Sequence, residues 1–261
     1  MSLIPAPPRT RELLETDRIW SAYALADLEP EEQGRAEWHT RANAVVLLYR
    51  GLEPPVLFIH GDPNEGARLA EGLGSMQVVY TLRPECLRAL GDRLTVEQQT
   101  LMWRMALEPG HQPGASEAGA IPLGTADLGR LTALFGDHPD RPDAFHPRQL
   151  ESGVFFGMYE GEELVGVAGT HILGPGSGVA AIGNVFTHPG HRGRGVARRA
   201  TSAVVSELLR RGYAELVMNV GQSNEPALRC YRGLGFTEYC AYHEGVGRLN
   251  PTLDRREDSH G

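Results

Sequence analysis

The stretch THPGHRGRGVARRA, residues 187–200, constrains the fold of this chain more than any other. It joins a β-like run, VAAIGNVFTH, to VARRATSAVVSELLRRG, in which Ala197, Ala200, Val204 and Leu208 recur at helical spacing and Gly212 marks the end. A second β-like run, AELVMNV, follows. Strand, helix, strand in that order reads as a crossover between two parallel strands of one sheet. The loop before the helix carries Gly190, Gly193 and Gly195 among the arginines Arg192, Arg194, Arg198 and Arg199. Glycine lets a backbone approach a ligand closely. A helix start presents unpaired N–H groups and a partial positive charge, which suits phosphate. Arg198 and Arg199 oppose that dipole by ~0.3–1 kcal/mol each, so the arrangement calls for an anion.

Net charge bears on which anion. The 261-residue chain carries a formal charge of −8. Neither half is basic, so the arginine cluster is a local feature and no nucleic-acid partner is expected. All 25 basic residues are arginine, which excludes a lysine nucleophile, a lysine base or a Walker lysine. Cys86, Cys230 and Cys240 follow no metal or redox spacing, and the histidines form no zinc pattern. No metal is expected, and the cysteine usage fits a reducing cytoplasm. No apolar run approaches the roughly 20 residues of a membrane span, so no membrane partner is expected. The Ala, Gly, Pro and Arg bias points to GC-rich, bacterial coding.

The segment EPGHQPGASEAGA, residues 108–120, reads as a linker. It predicts an N-terminal α/β domain over residues 1–110 and a second domain over 120–248. The first half opens with a Pro-rich arm and polar helical segments. NAVVLLYR and PPVLFIHG then read as strands, and NEGARLAEGLG as a helix with Asn64 as its cap. Trp20, Trp38 and Trp103 all lie in this half and read as packing residues. The second half reads as α, β-β-β, α, β, α, β, with SGVFFGMYE and EELVGVAGTHIL turning about Gly161.

Two familiar phosphate loops fail here. Gly190 and Gly195 have P-loop spacing, but Val196 and Ala197 stand where Lys and Ser/Thr belong. Gly193 and Gly195 begin a dinucleotide fingerprint that Arg198 breaks. Arg192-x-x-Gly195-x-Ala197 does match a pattern: it resembles the acetyl-CoA signature of the GNAT superfamily of N-acetyltransferases. The downstream NEPALRCYRGLGF, with Asn224, Ala227, Tyr231, Gly235 and Phe236, resembles that family's second motif. Together with the element order, the resemblance covers about half the chain, residues 121–245.

The resemblance implies an α/β (α+β) fold with a mixed, largely antiparallel sheet and flanking helices. It implies acetyl-CoA as co-substrate. The pantetheine arm would pair with Val185, Phe186 and Thr187. The pyrophosphate would meet backbone N–H groups of Arg192, Gly193, Arg194, Gly195, Val196, Ala197 and Arg198. Asn224 would touch the pantetheine arm or serve as a plain helix cap. Tyr231 would protonate the leaving thiolate. The position where many relatives hold a glutamate base is Ala181 here, which leaves His171, Asn184 through a water, or no side-chain base. His188 and His191 read as solvent-facing.

The implied activity is direct transfer of acetyl to a primary amine of a small molecule or peptide. A non-catalytic acyl-CoA-binding module is the alternative, and a homodimer is compatible with either. The first half is compatible with a degenerate copy of the same fold, as in two-domain relatives, although it holds no second Arg-x-x-Gly-x-Gly/Ala.

Overall fold

The computed structural model describes residues 6–111, 118–142 and 144–250. The early elements are α1 (Arg9–Leu14), α2 (Ala22–Ala26), β1 (Ala36–Arg41), β2 (Ala44–Tyr49), β3 (Val56–Gly61), α3 (Pro63–Ala70), β4 (Met76–Leu82), α4 (Pro84–Leu90) and β5 (Leu94–Leu107). The later ones are β6 (Ala120–Leu123), α5 (Leu128–Phe135), α6 (Gln149–Ser152), β7 (Phe155–Glu160), β8 (Glu163–Gly174), β9 (Val179–Thr187), α7 (Val196–Arg210), β10 (Glu215–Gly221), α8 (Glu225–Arg232) and β11 (Phe236–Leu249).

Contacts divide the chain into two compact units, one of Met1–Thr16, Pro30–Leu101 and Ala241–Gly261, the other of Asp17–Glu29 and Met102–Cys240. The expected boundary at 108–120 divides the chain by sequence position, whereas contacts follow packing. Helix α2 packs on β8 and β9, so Asp17–Glu29 belongs with the later strands. The end of β11 pairs with β4 from His243↔Leu82 to Leu249↔Met76, so it belongs with the earlier ones. Residues 112–117 of the expected linker lie outside the described residues.

In the first unit β1, β2 and β3 form an antiparallel meander, and β3 pairs in parallel with β4 from Val56↔Val79 to Phe58↔Thr81. Val46, Leu48, Ile59, Val78 and Leu82 make its core. The polar run AEWHTR, expected within a helical region, is strand β1. It lies at the end of the strand order and pairs with β2 from Ala36↔Tyr49 to Arg41↔Ala44, and an edge strand tolerates polar side chains. Helix α3 is capped by Asp62 rather than Asn64, because Pro63 stands at the first helical position and needs no N–H acceptor.

The second unit is a mixed α/β layer with strand order β5-β10-β9-β8-β7-β6. Neighbours in this order are antiparallel except β10 with β9, as the crossover predicts. The apolar face of α7 buries Val196, Ala200, Val204 and Leu208 in one cluster with Ile182, Met218 and Phe236. Each fully buried Val or Leu contributes about 1.5–3 kcal/mol, so this packing holds the start of α7 against the sheet. A second cluster joins Leu131, Leu134 and Phe135 of α5 to Phe155, Val167 and Phe186. Among the described residues no helix is long and apolar enough to cross a membrane.

Candidate active site

Strands β9 and β10 pair only from Glu215↔Val179 to Met218↔Ile182. Beyond Ile182, β9 runs on to Thr187 while keeping β8 on its other edge, with Val167↔Phe186 and Gly166↔Thr187 in register. The edge of Val185, Phe186 and Thr187 toward β10 therefore lacks a ladder partner among the described residues, and buried backbone groups seek one. A bulge marks the departure. Two residues of β9, Asn184 and Val185, oppose the single Ala168 of β8, and Asn184 takes a left-handed φ of 51°. Bulges re-aim strands and are common beside active sites.

The loop that follows offers N–H groups. Gly193 (φ 76°) and Gly195 (φ 75°) are left-handed, and a Cβ on either would meet nothing within 4 Å. Left-handed residues alternating with others make a concave nest for an anion. Gly195 is the N-cap of the 15-residue α7, and no side chain caps it. The first helical bond runs from Arg199 N to Gly195 O at 3.0 Å, which leaves the N–H groups of Val196, Ala197 and Arg198 without a helical acceptor. Two other helices are closed. Asp62 accepts from Asn64 N and Glu65 N at the start of α3, and Asn224 Oδ1 accepts from Ala227 N at 3.2 Å at the start of α8.

Three of the four arginine side chains brace the loop. Arg192 donates through Nε to Thr187 O at 3.1 Å and pairs with Asp140. Arg194 lies 3.5 Å from Glu160, which also receives His191 Nδ1 at 2.6 Å. Arg198 donates to Gly233 O at 3.2 Å. Backbone N–H groups of the loop and of the first turn of α7 are thus open to a phosphate. The Thr187 hydroxyl, buried with no partner among the described residues, is a further polar atom at this edge. These features fit a CoA moiety. Among the described residues no cluster of His, Cys, Asp and Glu is arranged to hold a metal ion.

Tyr231 enters from the α7–α8 face. It lies in the cluster that holds Met218 and Val220 of β10 and Leu228 of its own helix. Burial pushes its phenol up, so it keeps its proton at neutral pH and can donate but not accept one. Burial also raises the neighbouring Cys230 thiol, which removes it as a ready nucleophile.

His171 lies on the opposite face. Side chains alternate along a strand, and Met105, Met218 and Ile182 face the helices. Their neighbours Arg104, Asn219 and Gly183 therefore face away, with Arg104 directly opposite Asn219 in the β5–β10 register. His171 Nε2 accepts from Asn184 N at 3.2 Å, and its Nδ1 stands 3.0 Å from the Tyr23 hydroxyl. Asn184 itself is buried, and its Nδ2 donates to Gln149 Oε1 and Thr170 O. Of the two residues expected for chemistry, Tyr231 and His171 thus lie on opposite faces of the sheet, beside the point where β9 and β10 part. Sequence reasoning missed Tyr23, Gln149 and Asn219. Asn219 alone gave a signal, as a lone amide inside AELVMNV.

Residues 127–236 match the model of the acetyltransferase (GNAT) family. The chain is similar to a mycothiol acetyltransferase of Thermomonospora curvata, 28% identical over 254 residues that cover 88% of this chain and 80% of that protein. Its alignments span 62%, 57% and 65% of three further mycothiol acetyltransferases. It is similar to an uncharacterized N-acetyltransferase of Bacillus subtilis, YsnE, 31% identical over 106 residues, 38% of this chain and 68% of that protein. A GCN5-related N-acetyltransferase from Kribbella flavida superposes with a TM-score of 0.62 at 19% identity, covering 90% of this chain and 96% of that one. The last likeness is one of fold.

Proposed function

The chain belongs to the GNAT acetyltransferase family, and from that membership we propose that it moves the acetyl group of acetyl-CoA directly to a primary amine of a small molecule or peptide. The observation that carries this reading is the open N-terminus of α7 beside the parted strands. The helices α3 and α8 start under a side-chain cap, whereas α7 starts under two left-handed glycines.

In this reading the N–H groups of Val196, Ala197 and Arg198, with the Gly193–Gly195 nest, hold the pyrophosphate. The edge of Val185–Thr187 that β10 leaves unpaired takes the pantetheine amides as an added strand would, and Asn224 lies beside that arm. Tyr231, kept protonated by burial, donates to the sulfur as it leaves. Positioning and fixed dipoles supply most of the rate, so no covalent protein intermediate is needed.

Similarity to mycothiol acetyltransferases makes a small-molecule amine of that kind the first acceptor to test. We read the first unit as a degenerate copy of the fold. It repeats the order of three antiparallel strands, helix, parallel strand and helix. Its crossover helix begins under the Asp62 carboxylate, which occupies the N–H groups and repels an anion where the second unit leaves them open. The three thiols pair with no other cysteine, which accords with a cytoplasmic location, and a homodimer is compatible with this reading.

The test is thiol release from acetyl-CoA in the presence of a mycothiol-type amine first, then polyamines, amino acids, aminoglycosides and peptide N-termini. The reading predicts acetylation of at least one amine. Tight CoA binding with no acetylation across the panel would favour the non-catalytic module instead.

A further inference from the structure

A polar row crosses the sheet face opposite Tyr231. Arg104 on β5 and Asn219 on β10 are in register, and His171 on β8 completes the row across Gly183 of β9. A bulge makes this possible. His171 stands between the registered pairs Thr170↔Ile182 and Ile172↔Ala181 and has no opposite residue of its own. Its ring lies over Gly183, where a Cβ would come within 2.2 Å of Nε2. Ile182 and Met218 are the last registered pair of β9 and β10, so Gly183 and Asn219 are the next residues on each strand, at the vertex of the opening.

Tyr23, from α2, covers this row. Its hydroxyl is 3.0 Å from His171 Nδ1 and 3.4 Å from Asn219 Nδ2, and the Arg104 guanidinium lies 4.8 Å from its ring centroid. Hydrogen bonding settles the His171 tautomer. Nε2 accepts the Asn184 N–H, so neutral His171 carries its proton on Nδ1 and donates it to the Tyr23 oxygen. With Asn219 Nδ2 this makes two donors on one phenol oxygen, and a cation over the ring. Each favours the phenolate over the phenol. The other charged groups of the Tyr23 segment have partners of their own: Asp17 accepts from Trp20 N and Tyr239, Arg18 pairs with Glu215, and Glu29 accepts from Gly176 N. Asp27 directly follows α2.

We propose that Tyr23 is the acceptor-side base of the transfer, with His171 and Asn219 as positioning residues that hold its oxygen as a phenolate. This rests on the acetyltransferase reading and gives Ala181's missing carboxylate a replacement from a distant segment. An acceptor ammonium gives one proton to the Tyr23 oxygen, which becomes a neutral phenol. The electron pair left on nitrogen forms the new C–N bond at the thioester carbonyl as the C–S bond breaks. Sulfur leaves with its electron pair and takes a proton from Tyr231, which the second amine proton replaces through solvent. Tyr23 returns the first proton to solvent, so the net products are amide, CoA thiol and one proton. The two tyrosines thus work on opposite faces, one kept protonated by burial and one relieved of its proton by donors.

The test uses the full-length protein and three measurements. Ultraviolet titration of tyrosine ionisation needs no acceptor. The proposal predicts an early phase in the wild type that is absent from Tyr23→Phe and displaced to higher pH in His171→Ala. Gly183→Ala, which forces the His171 ring aside, is predicted to displace it too. With glycinamide as the probe amine, kcat/KM of Tyr23→Phe should fall about 10²–10⁴-fold at neutral pH. The deficit should shrink as pH rises and the amine deprotonates unaided, a trend that a merely structural tyrosine would not give. Acetyl-CoA affinity, by calorimetry, should be unchanged. Titration curves of wild type and Tyr23→Phe that differ only by one ordinary phenol overturn the proposal. Failure of the wild type to acetylate any amine counts against the function assigned above, and the titration still decides the state of Tyr23.

Discussion

Ile182 of β9 and Met218 of β10 form the last registered pair between the two parallel strands. Five residues of β9 run on past Ile182 with β8 as their one ladder partner among the described residues, and the Asn184 bulge begins the departure. Tyr231 shares a buried cluster with both members of the pair, while His171 reaches the same vertex from the other face. In the proposed function acetyl transfer takes place at that vertex, and each residue there carries a different part of it.

Tyr231→Phe keeps the ring in its cluster and removes only the hydroxyl. Negative charge on sulfur develops in the transition state and is absent from bound acetyl-CoA. The variant should lose about 10²–10⁴-fold in kcat with little change in acetyl-CoA affinity. Steady-state kinetics with a responsive amine checks this, and a variant with wild-type kcat would assign the thiolate to water or another group.

The same phenol gives a pH signature in stability. Burial raises Tyr231 above its unfolded value of about 10. A raised group contributes stability that is fully present below the unfolded pKa and is lost as pH rises toward the folded one. Wild-type protein should therefore lose stability from about pH 10 upward, and Tyr231→Phe should lose less over that range. Thermal melts across alkaline pH measure the difference. Parallel curves would mean that the phenol ionises without penalty and is not buried as described.

Asn224 has two roles to separate. Its side chain accepts from Ala227 N, so Asn224→Ala should cost about 0.5–2 kcal/mol of stability as a lost cap. Ser caps nearly as well, so Asn224→Ser should melt close to wild type. If Asn224 also meets the pantetheine arm, Asn224→Ser should still weaken acetyl-CoA binding by about 0.5–1.5 kcal/mol, one hydrogen bond. Unchanged affinity in Asn224→Ser would leave it a cap alone.

The crossover and its loop were legible because they are local. Glycines, an uncapped helix start and a regular apolar face all lie within residues 179–210 and obey short-range rules. The Asn224 cap and the order β7-β8-β9-α7-β10-α8-β11 were legible for the same reason, whereas the short β6 and α6 were not. Strand β1 was not, because its polar side chains conceal a pairing supplied by β2. The length of β11 was hidden too, since its end is stabilised by β4, far earlier in the chain. Tyr23 lay furthest out of reach. It meets His171 across 148 positions, and nothing in WSAYALAD marks a side chain that will sit over a glycine on a distant strand.

If the loop ahead of α7 holds the pyrophosphate of acetyl-CoA through backbone N–H groups, Gly195→Glu must abolish binding. Gly195 has a left-handed φ of 75°, and a Cβ there would have nothing within 4 Å, so glutamate meets open space at a strain of roughly 1–2 kcal/mol. Its carboxylate would stand at the N–H groups that the phosphates need. Isothermal titration of acetyl-CoA into wild type and Gly195→Glu, with circular dichroism to show that both are folded, is the measurement. The wild type should bind acetyl-CoA and the variant should show no detectable binding. Equal affinity in a folded Gly195→Glu protein would contradict that role of the loop.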